Sequence, residues 1–342
     1  MKKGILIISI IGAALTASCS SDDPVEDGGV QGNPPVLAKL FATSNTNGNI
    51  ATFNFTNLGI QIGTYNISST DNEGIFYDKT KDELVINSRS QKAINTYSNI
   101  KNAASGTTLN LLLSSNTVLG SPRDIAVKDD LYVISDNEDL DGNTDTHEGR
   151  FFIFKRGADG YELRNTVTVN FAVWGINFIG NDLYTAVDKT ADVAVFKNFL
   201  STYTTDVTIA PDKRITIENI NRIHGIAEDG GYVVLTDIGD PSIENDGGFQ
   251  IIRDFVAKFN ATEDGEVLEF QGNQVRVSGR LTQLGNPVAV DYDNQRKAVF
   301  IAERSNENGK ILFFDNIEAG GEIIPSLSVP FEGASSLYFS SN

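Results

Sequence analysis

The chain has 342 residues, with 45 Asp and Glu against 27 Lys and Arg, and its formal net charge at pH 7 is −18. Such a charge repels the phosphates of nucleic acids and anionic lipid headgroups, so we expect no nucleic-acid partner, whereas cations and neutral ligands are compatible with it. The only cysteine is Cys19, so no disulfide can form within the chain and the fold depends on its hydrophobic core.

Residues 1–18 have the order of an export signal, with a basic start, an apolar run and small residues before Cys19. The run from Gly4 to Leu15 is too short to span a bilayer. This segment resembles the signal of bacterial lipoproteins, although Thr16 stands where that family prefers leucine. The resemblance implies that Cys19 is lipidated and anchors the mature chain to a membrane. The alternative is an ordinary secretory signal that happens to contain a cysteine.

Residues 19–35 are acidic and rich in Gly and Pro, with almost no apolar side chain to bury. This composition predicts a flexible tether between the lipid and the folded domain. The acidic stretch after Cys19 also resembles the export tag of Bacteroidota lipoproteins that reach the outer face of the outer membrane. That resemblance implies a lipid-anchored outer-membrane protein facing the cell exterior. A polar linker without a sorting role is the alternative.

Residues 36–342 repeat one sequence pattern about every fifty residues. In each copy, a turn and a short apolar strand precede a second apolar strand that ends in a polar residue. The first strands of the clearest copies begin near Gly74, Asp124, Gly175, Gly225 and Pro287. A period of about 40 to 50 residues built from strands is typical of β-propellers. The length predicts an all-β, six-bladed propeller with four strands in each blade.

The two ends of this domain predict how the ring closes. Lys39 to Thr43 reads as a second strand without a first, and Ser335 to Phe339 reads as a first strand with nothing after it. Pairing them would complete one blade and remove an exposed sheet edge. The repeats resemble those of NHL and YVTN propellers, which read roughly Pro-x-Gly-Ile-Ala, then Leu-Tyr-Val-x-Asp, then Ile-x-Val-Phe. This resemblance implies the fold and says little about activity.

Aligning the repeats predicts one residue per blade at the mouth of the central channel. These residues are Glu73, Arg123, Trp174, His224, Asn286 and Ser335. They differ chemically, whereas equivalent blades would tend to repeat one residue type. The first five are therefore candidate ligand-binding residues, and an indole beside polar groups suits a small polar ligand such as a glycan. The alternative is that Trp174 packs over the channel and the polar side chains pair with one another or with water.

The ends of the second strands predict a wider and mostly acidic ring. Its members are Ser44, Asn87, Asp136, Asp188, Asp237 and Glu303, with Arg89 and Arg304 close by in sequence. A resemblance to calcium-dependent six-bladed lactonases implies that the four acidic members are metal ligands and that His224 is a general base. In the alternative these acids only cap turns, and no catalytic residue is assigned.

One loop has the spacing of a calcium site. Within residues 137–148, oxygen ligands alternate around Gly142, which allows a sharp turn, and a glutamate stands at the twelfth position, as in EF-type loops. The candidate Ca²⁺ ligands are Asn137, Asp139, Asp141, Asn143, Asp145 and Glu148. The loop also resembles the Asp-rich loops of integrin α propeller blades, which implies a structural rather than a catalytic ion. A solvated acidic hairpin tip is the alternative.

Together these patterns favour a surface lipoprotein that acts as a ligand-binding or protein-interaction module, in the role of an accessory subunit of an outer-membrane nutrient-uptake or assembly complex. A metal-dependent hydrolase or lyase acting at the channel mouth is the second hypothesis. The third is a purely structural subunit that docks through one face of the propeller.

Overall fold

The computed structural model describes residues 35–143, 146–240 and 242–341. These residues form an all-β propeller of six blades, which confirms the fold predicted from the repeat. Cys19, the predicted signal peptide and the predicted tether before Pro35 lie outside the described residues, as does Asp145 of the loop predicted to hold calcium.

The blade that closes the ring combines three strands from the start of the domain with the last strand of the chain. In order from the channel outward it contains β26 (Ala334–Ser341), β1 (Val36–Ser44), β2 (Ile50–Thr56) and β3 (Gly59–Tyr65). The predicted closure is confirmed, because β1 pairs antiparallel with β26 from Ala38 opposite Ser341 to Ser44 opposite Ala334. The hydroxyls of Thr43 and Ser335 are hydrogen-bonded at 2.8 Å within this pair.

The other five blades follow in chain order, each from the channel outward. Blade 1 contains β4 (Asn72–Asp78), β5 (Glu83–Ser88), β6 (Ala93–Ser98) and β7 (Leu111–Ser114). Blade 2 contains β8 (Pro122–Lys128), β9 (Leu131–Asp136), β10 (Gly149–Arg156), β11 (Tyr161–Val169) and β15 (Val207–Thr208). Blade 3 contains β12 (Val173–Ile179), β13 (Asp182–Val187), β14 (Asp192–Phe196), β16 (Lys213–Ile217) and β20 (Val267–Leu268).

Blade 4 contains β17 (Ile223–Asp229), β18 (Tyr232–Asp237), β19 (Gly248–Arg253) and β21 (Val275–Ser278). Blade 5 contains β22 (Pro287–Asp293), β23 (Ala298–Glu303), β24 (Lys310–Phe314) and β25 (Leu327–Pro330). The fifth strands of blades 2 and 3 differ from the four expected: β15 and β20 each add two residues in parallel to the outer edge of the preceding blade.

Helices are confined to the connections. The structure has two short α-helices, α1 (Phe199–Thr202) and α2 (Phe255–Ala261), in the described chain, and 3₁₀ turns at Arg280–Thr282, Asn306–Asn308 and Ile317–Ala319. Within the same residues, no helix has the length and apolar character needed to cross a bilayer.

The core lies between neighbouring blades, where the alternating apolar residues of the facing sheets meet. Between blades 2 and 3, for example, the buried rings of Phe151 and Phe196 meet edge to face with centroids 5.4 Å apart. Phe199, the first residue of α1, adds a second edge contact to Phe151 at 5.5 Å. Each such pair contributes about 0.5–1.5 kcal/mol beyond the burial of its area. This packing holds the six inner strands around the channel.

Candidate functional site

A β-bulge opens each inner strand at the same end of the channel. In β8, for example, Pro122 pairs with Asp136 and Asp124 with Ser135, so Arg123 is left without a partner on β9. A bulge bends the strand and re-aims the extra residue. The bulges of the six inner strands contain Glu73, Arg123, Trp174, His224, Val288 and Ser335. These bulged residues define the end of the channel that we call the channel mouth.

Asn286 differs from its expected position. In blade 5, Pro287 pairs with Glu303 and Ala289 with Ala302, which leaves Val288 in the bulge and Asn286 one residue before the strand. The valine has no polar group, so blade 5 does not contribute a bulged polar side chain. Ser335 does sit in its bulge, but its hydroxyl is already bonded to Thr43 and donates to the carbonyl of Asn72.

Glu73 is the centre of a buried polar network at the channel mouth. One carboxylate oxygen accepts a hydrogen bond from Arg123 Nη1 at 2.9 Å, and the other accepts one from Asn45 Nδ2 at 3.1 Å. Arg89 Nη1 reaches the second oxygen at 3.5 Å, and Arg304 Nη1 lies 3.9 Å from it. Glu73 itself is only 3% exposed. Donors from four blades therefore converge on one buried carboxylate.

Trp174 is sandwiched between two charged or polar side chains. The imidazole of His224 lies parallel to the indole, with a centroid distance of 3.6 Å and an angle of 4° between the planes. The guanidinium carbon of Arg123 lies 4.2 Å from the indole centroid. At these distances both cannot occupy one face of the ring, so they cover opposite faces. The open stacking surface expected for a sugar is therefore not found on Trp174, and only the ring edge remains accessible.

His224 continues the network to Asp188 and Arg222. Its Nε2 lies 3.1 Å from Asp188 Oδ1, which also accepts a hydrogen bond from Arg222 Nε at 2.8 Å. Burial lowers the pKa of His224 below its usual value, and this effect outweighs the opposing influence of Asp188. Burial opposes ionisation of Asp188, but the hydrogen bonds and charges of His224 and Arg222 bring its pKa down to about 2. At neutral pH the pair is a neutral imidazole donating through Nε2 to a carboxylate.

Buried side-chain atoms around the channel mouth that have no hydrogen-bond partner within the described protein include the acceptor Nδ1 of His224, the donor Nε of Arg89 and the acceptor Oδ1 of Asn286. Asp71, Asn72 and Asn87 each have one such side-chain oxygen as well. An unsatisfied buried polar atom typically costs about 1–3 kcal/mol. Arg89 could be predicted from the sequence only as a neighbour of the acidic ring, because its contacts at the channel mouth join different blades.

The wider acidic ring does not converge on a shared point. Asp136 accepts hydrogen bonds from the backbone of Gly120 and Ser121 at 2.8 and 2.9 Å, and Glu303 accepts them from Gly285 and Asn286 at 3.0 and 2.9 Å. Asp237 has the same arrangement: it accepts from two backbone amides of the preceding loop and from an arginine. These side chains act as turn caps in their own blades, and only Asp188 joins His224.

Ser44 and Asn87 complete the wider ring with structural contacts. The hydroxyl of Ser44 donates to the carbonyl of Glu332 at 2.7 Å. Asn87 Nδ2 donates to the carbonyl of Asp124 at 3.0 Å and so links blade 1 to blade 2. Both side chains are fully buried. The ring as a whole therefore joins blades and loops.

The loop predicted to hold calcium brings three of its six candidate ligands together. Asp139, Asp141 and Glu148 each place one carboxylate oxygen within 4.8 Å of the others, and no other such acidic or histidine group of three occurs in the described chain. Glu148 Oε2 is a buried atom without a partner. Asn137 points elsewhere, since its Oδ1 accepts a hydrogen bond from Arg123 Nε at 2.6 Å. The spacing of the sequence thus identified the cluster but not the link from Asn137 to the channel mouth.

Two further carboxyls lie inside the channel and were not predicted. Asp124 bridges to the inner strand of blade 3 by accepting from Ile176 N at 2.9 Å, and Asp291 bridges to the closing blade by accepting from Phe339 N at 2.6 Å. Both line a cavity of about 390 Å³. Burial raises the pKa of each to about 7 despite these hydrogen bonds.

Solved structures similar to this chain share its propeller fold. A chain of a nidogen/laminin complex matches with a TM-score of 0.58 at 12% identity, covering 89% of this chain and 98% of that one. A 6-phosphogluconolactonase-like protein of Bacteroides fragilis matches with a TM-score of 0.54 at 13% identity, covering 89% and 98%. A similar protein of Bacteroides uniformis has a TM-score of 0.53 at 13% identity, covering 89% and 99%. No protein-family model and no curated protein matches the chain. At these identities the likeness extends to the fold alone.

Proposed function

We propose that this protein is a ligand-binding and protein-interaction module that binds through the channel mouth. The observation that carries the proposal is the convergence of polar side chains from four blades on Glu73, with the guanidinium of Arg304 left 44% exposed beside it. An exposed guanidinium without a hydrogen bond can donate to a partner that approaches the channel mouth. The covered faces of Trp174 favour recognition by polar contacts over ring stacking.

We further propose that a lipid on Cys19 anchors the module to the outer membrane, facing the exterior, where it serves as an accessory subunit of an uptake or assembly complex. This part rests on the order of charged, apolar and small residues before Cys19 and on the acidic stretch after it. Metabolic labelling with a fatty-acid analogue is expected to label the wild type and not Cys19→Ser, which should leave the membrane fraction. Equal membrane retention of both forms would contradict lipidation.

A calcium ion in the loop around Gly142 is the proposed cofactor. The convergence of Asp139, Asp141 and Glu148 supports it, and so does the unpartnered oxygen of Glu148. Calcium takes six to eight oxygen ligands, so backbone carbonyls, water and the other predicted loop residues would complete its shell. Because Asn137 contacts Arg123, an ordered loop would also fix one wall of the channel mouth.

The test of binding is extraction of the tagged protein from its native membrane in mild detergent. We expect the wild type to retain a partner or a small molecule, detected by native mass spectrometry. Arg123→Gln is expected to lose it, since Arg123 contacts Glu73, Trp174 and Asn137. Arg253→Gln is the matched control, because that side chain is 71% exposed and, among the described residues, forms its ion pair with Asp254 and a distant contact with the Tyr232 ring. Recovery of the wild type as a ligand-free monomer would contradict the proposal.

A hydrolase or lyase of the lactonase type is the second candidate. The Asp188–His224 pair favours it, because the carboxylate fixes the imidazole tautomer and leaves Nδ1 as a free base. Two of the structural neighbours are 6-phosphogluconolactonase-like proteins. The turn-capping roles of Asp136, Asp237 and Glu303 favour it less. Lactone hydrolysis that is abolished in His224→Gln but retained in His147→Gln would establish it.

A further inference from the structure

The channel mouth carries a local excess of positive charge in a strongly acidic chain. Three guanidinium groups, those of Arg89, Arg123 and Arg304, surround Glu73, and Asp71 is the second carboxylate in the group, 3.7 Å from Arg89. Among these five side chains, three positive charges stand against two negative charges. The carboxylate of the neighbouring Glu303 is buried and bonded to backbone amides. The adjoining Arg222 and Asp188 cancel each other. The excess is thus localised beside Glu73.

The guanidinium of Arg123 makes its contacts within the protein. Its Nη1 and Nε donate to Glu73 and Asn137, and its plane covers Trp174. It therefore shapes the mouth and has little capacity left for a ligand.

The guanidiniums of Arg89 and Arg304 make fewer contacts within the protein. The guanidinium of Arg304 makes no hydrogen bond in the described structure, and its nearest carboxylate oxygen, Glu73 Oε1, is 3.9 Å away. Its side chain is 44% exposed. Arg89 makes one long contact with the same oxygen at 3.5 Å, and its Nε has no partner. Both guanidiniums therefore have Glu73 Oε1 as their nearest carboxylate oxygen, at distances longer than a good hydrogen bond.

We propose that Arg89 and Arg304 bind the carboxylate of a small hydroxy acid at the channel mouth, an inference that rests on the proposed binding function. A guanidinium donates two parallel hydrogen bonds that match the geometry of a carboxylate. A monoanion neutralises the single excess charge, whereas a phosphate dianion would add repulsion from Glu73 and Asp71. An acceptor also lies in this group at Asp71, whose side chain is 33% exposed and whose Oδ2 lies 3.7 Å from Arg89, so that ligand hydroxyls can donate to it. A sugar acid combines both kinds of group.

The fluorescence of Trp174 can report binding, because this residue is the only tryptophan of the chain and lies against Arg123. The full-length protein is titrated with sodium glucuronate, glucose or inorganic phosphate at one fixed ionic strength, and the tryptophan emission is recorded. We expect a saturable change with glucuronate, none with glucose, and a response to phosphate at least tenfold weaker. Fixed ionic strength is required because general screening also alters charged surfaces.

Arg304→Gln and Arg89→Gln are each expected to weaken glucuronate binding at least tenfold, whereas Arg253→Gln should leave it unchanged. Arg304→Gln is the decisive variant, since its side chain makes no hydrogen bond whose loss would disturb the fold. Arg304→Lys is expected to restore binding only in part, because an ammonium cannot form the paired hydrogen bonds.

Three results would overturn the inference. The first is the absence of a saturable change with glucuronate. The second is equal binding of glucose and glucuronate, which would leave the channel mouth a binding site for neutral ligands and so keep the proposed function. The third is glucuronate binding of unchanged strength in Arg304→Gln. Failure of the proposed function itself is distinguishable, because it is read from the detergent-extracted wild type.

Discussion

The imidazole of His224 lies face to face with the indole of Trp174, with ring centroids 3.6 Å apart. This contact fixes the imidazole plane, and Asp188 fixes its Nε2 edge from the side. The remaining nitrogen, Nδ1, is buried and has no partner. The position of a single ring thus depends on a neighbour in blade 3 and on a carboxylate from the same blade, both packed against blade 4.

Asp188→Asn is expected to destabilise the protein by about 2 kcal/mol at neutral pH, because it removes the charge that pairs with Arg222 and that accepts the hydrogen bond of His224 Nε2. The pKa of Asp188 is about 2 in the folded protein and 3.8 without these partners. Its stabilisation is therefore present above the unfolded value and lost as the pH falls from 3.8 to about 2. Urea unfolding over this range measures the difference between variant and wild type.

The control for this prediction is Asp130→Asn, which removes an exposed pair with Lys155. Exposed pairs contribute about 0–1 kcal/mol. A destabilisation by Asp188→Asn no larger than that of the control, or one that persists unchanged down to the lowest pH, would contradict the coupling inferred for Asp188.

Gly175 lies where the inner strands of blades 3 and 4 approach each other closely at the channel mouth. A Cβ at this position would lie 2.5 Å from the carbonyl oxygen of His224 and 3.0 Å from Ile226 N. Because both contacts are backbone atoms of the next blade, Gly175→Ala should cost about 1–3 kcal/mol through overpacking. Thermal and urea unfolding measure the loss. Gly157→Ala is the control, since a Cβ there meets nothing nearer than 3.6 Å. Equal stability of the two variants would show that the blades can move apart freely.

The loop around Gly142 is proposed to bind calcium and should then stabilise the folded protein when the ion is present. Calcium is expected to raise the melting temperature of the wild type relative to protein in chelator, because an ion that binds only the folded state stabilises it by mass action. Asp139→Ala and Asp141→Ala remove two of the three converging carboxylates and should abolish both this shift and terbium luminescence. Asp159→Ala, at an exposed hairpin tip in the same blade, should retain both. A wild type that neither shifts with calcium nor binds terbium would contradict the assignment.

The sequence was sufficient for the fold because each blade repeats the same local pattern. The positions of Glu73, Arg123, Trp174 and His224 at the channel mouth followed from aligning the repeats. The alignment misplaced blade 5, where Val288 occupies the bulge and not Asn286. A one-residue bulge leaves no mark in the alternation of apolar residues, so its exact position had to come from the pairing of the strands.

Side-chain contacts between blades could not be predicted from the sequence either. The covering of Trp174 by Arg123, and the approach of Arg89 and Arg304 to Glu73, join residues from different blades. Such contacts depend on side-chain directions across a sheet-to-sheet interface, which periodicity does not encode. The short parallel strands β15 and β20 were missed for a related reason, because two residues are too few to show a pattern.

The carboxyls inside the channel make the stability depend on pH in the opposite sense to Asp188. Burial raises the pKa of Asp124 and Asp291 to about 7, from 3.8. The folded state therefore binds more protons than the unfolded state between these values, and stability falls as the pH rises through this interval. No Lys, Arg or His is among the described residues lining the cavity that could offset the charge.

Asp291→Asn is expected to remove part of this dependence, because the amide stays neutral while its oxygen can still accept from Phe339 N. Relative to the wild type, the variant should gain stability as the pH rises from 3.8 towards the folded pKa of about 7, and the gain should level off above that pH. Urea unfolding across this interval measures the gain, with Asp159→Asn at the exposed hairpin tip as the control. Parallel pH profiles for Asp291→Asn and the wild type would mean that Asp291 is already ionised in the folded protein and stabilised by a cation or by water in the channel.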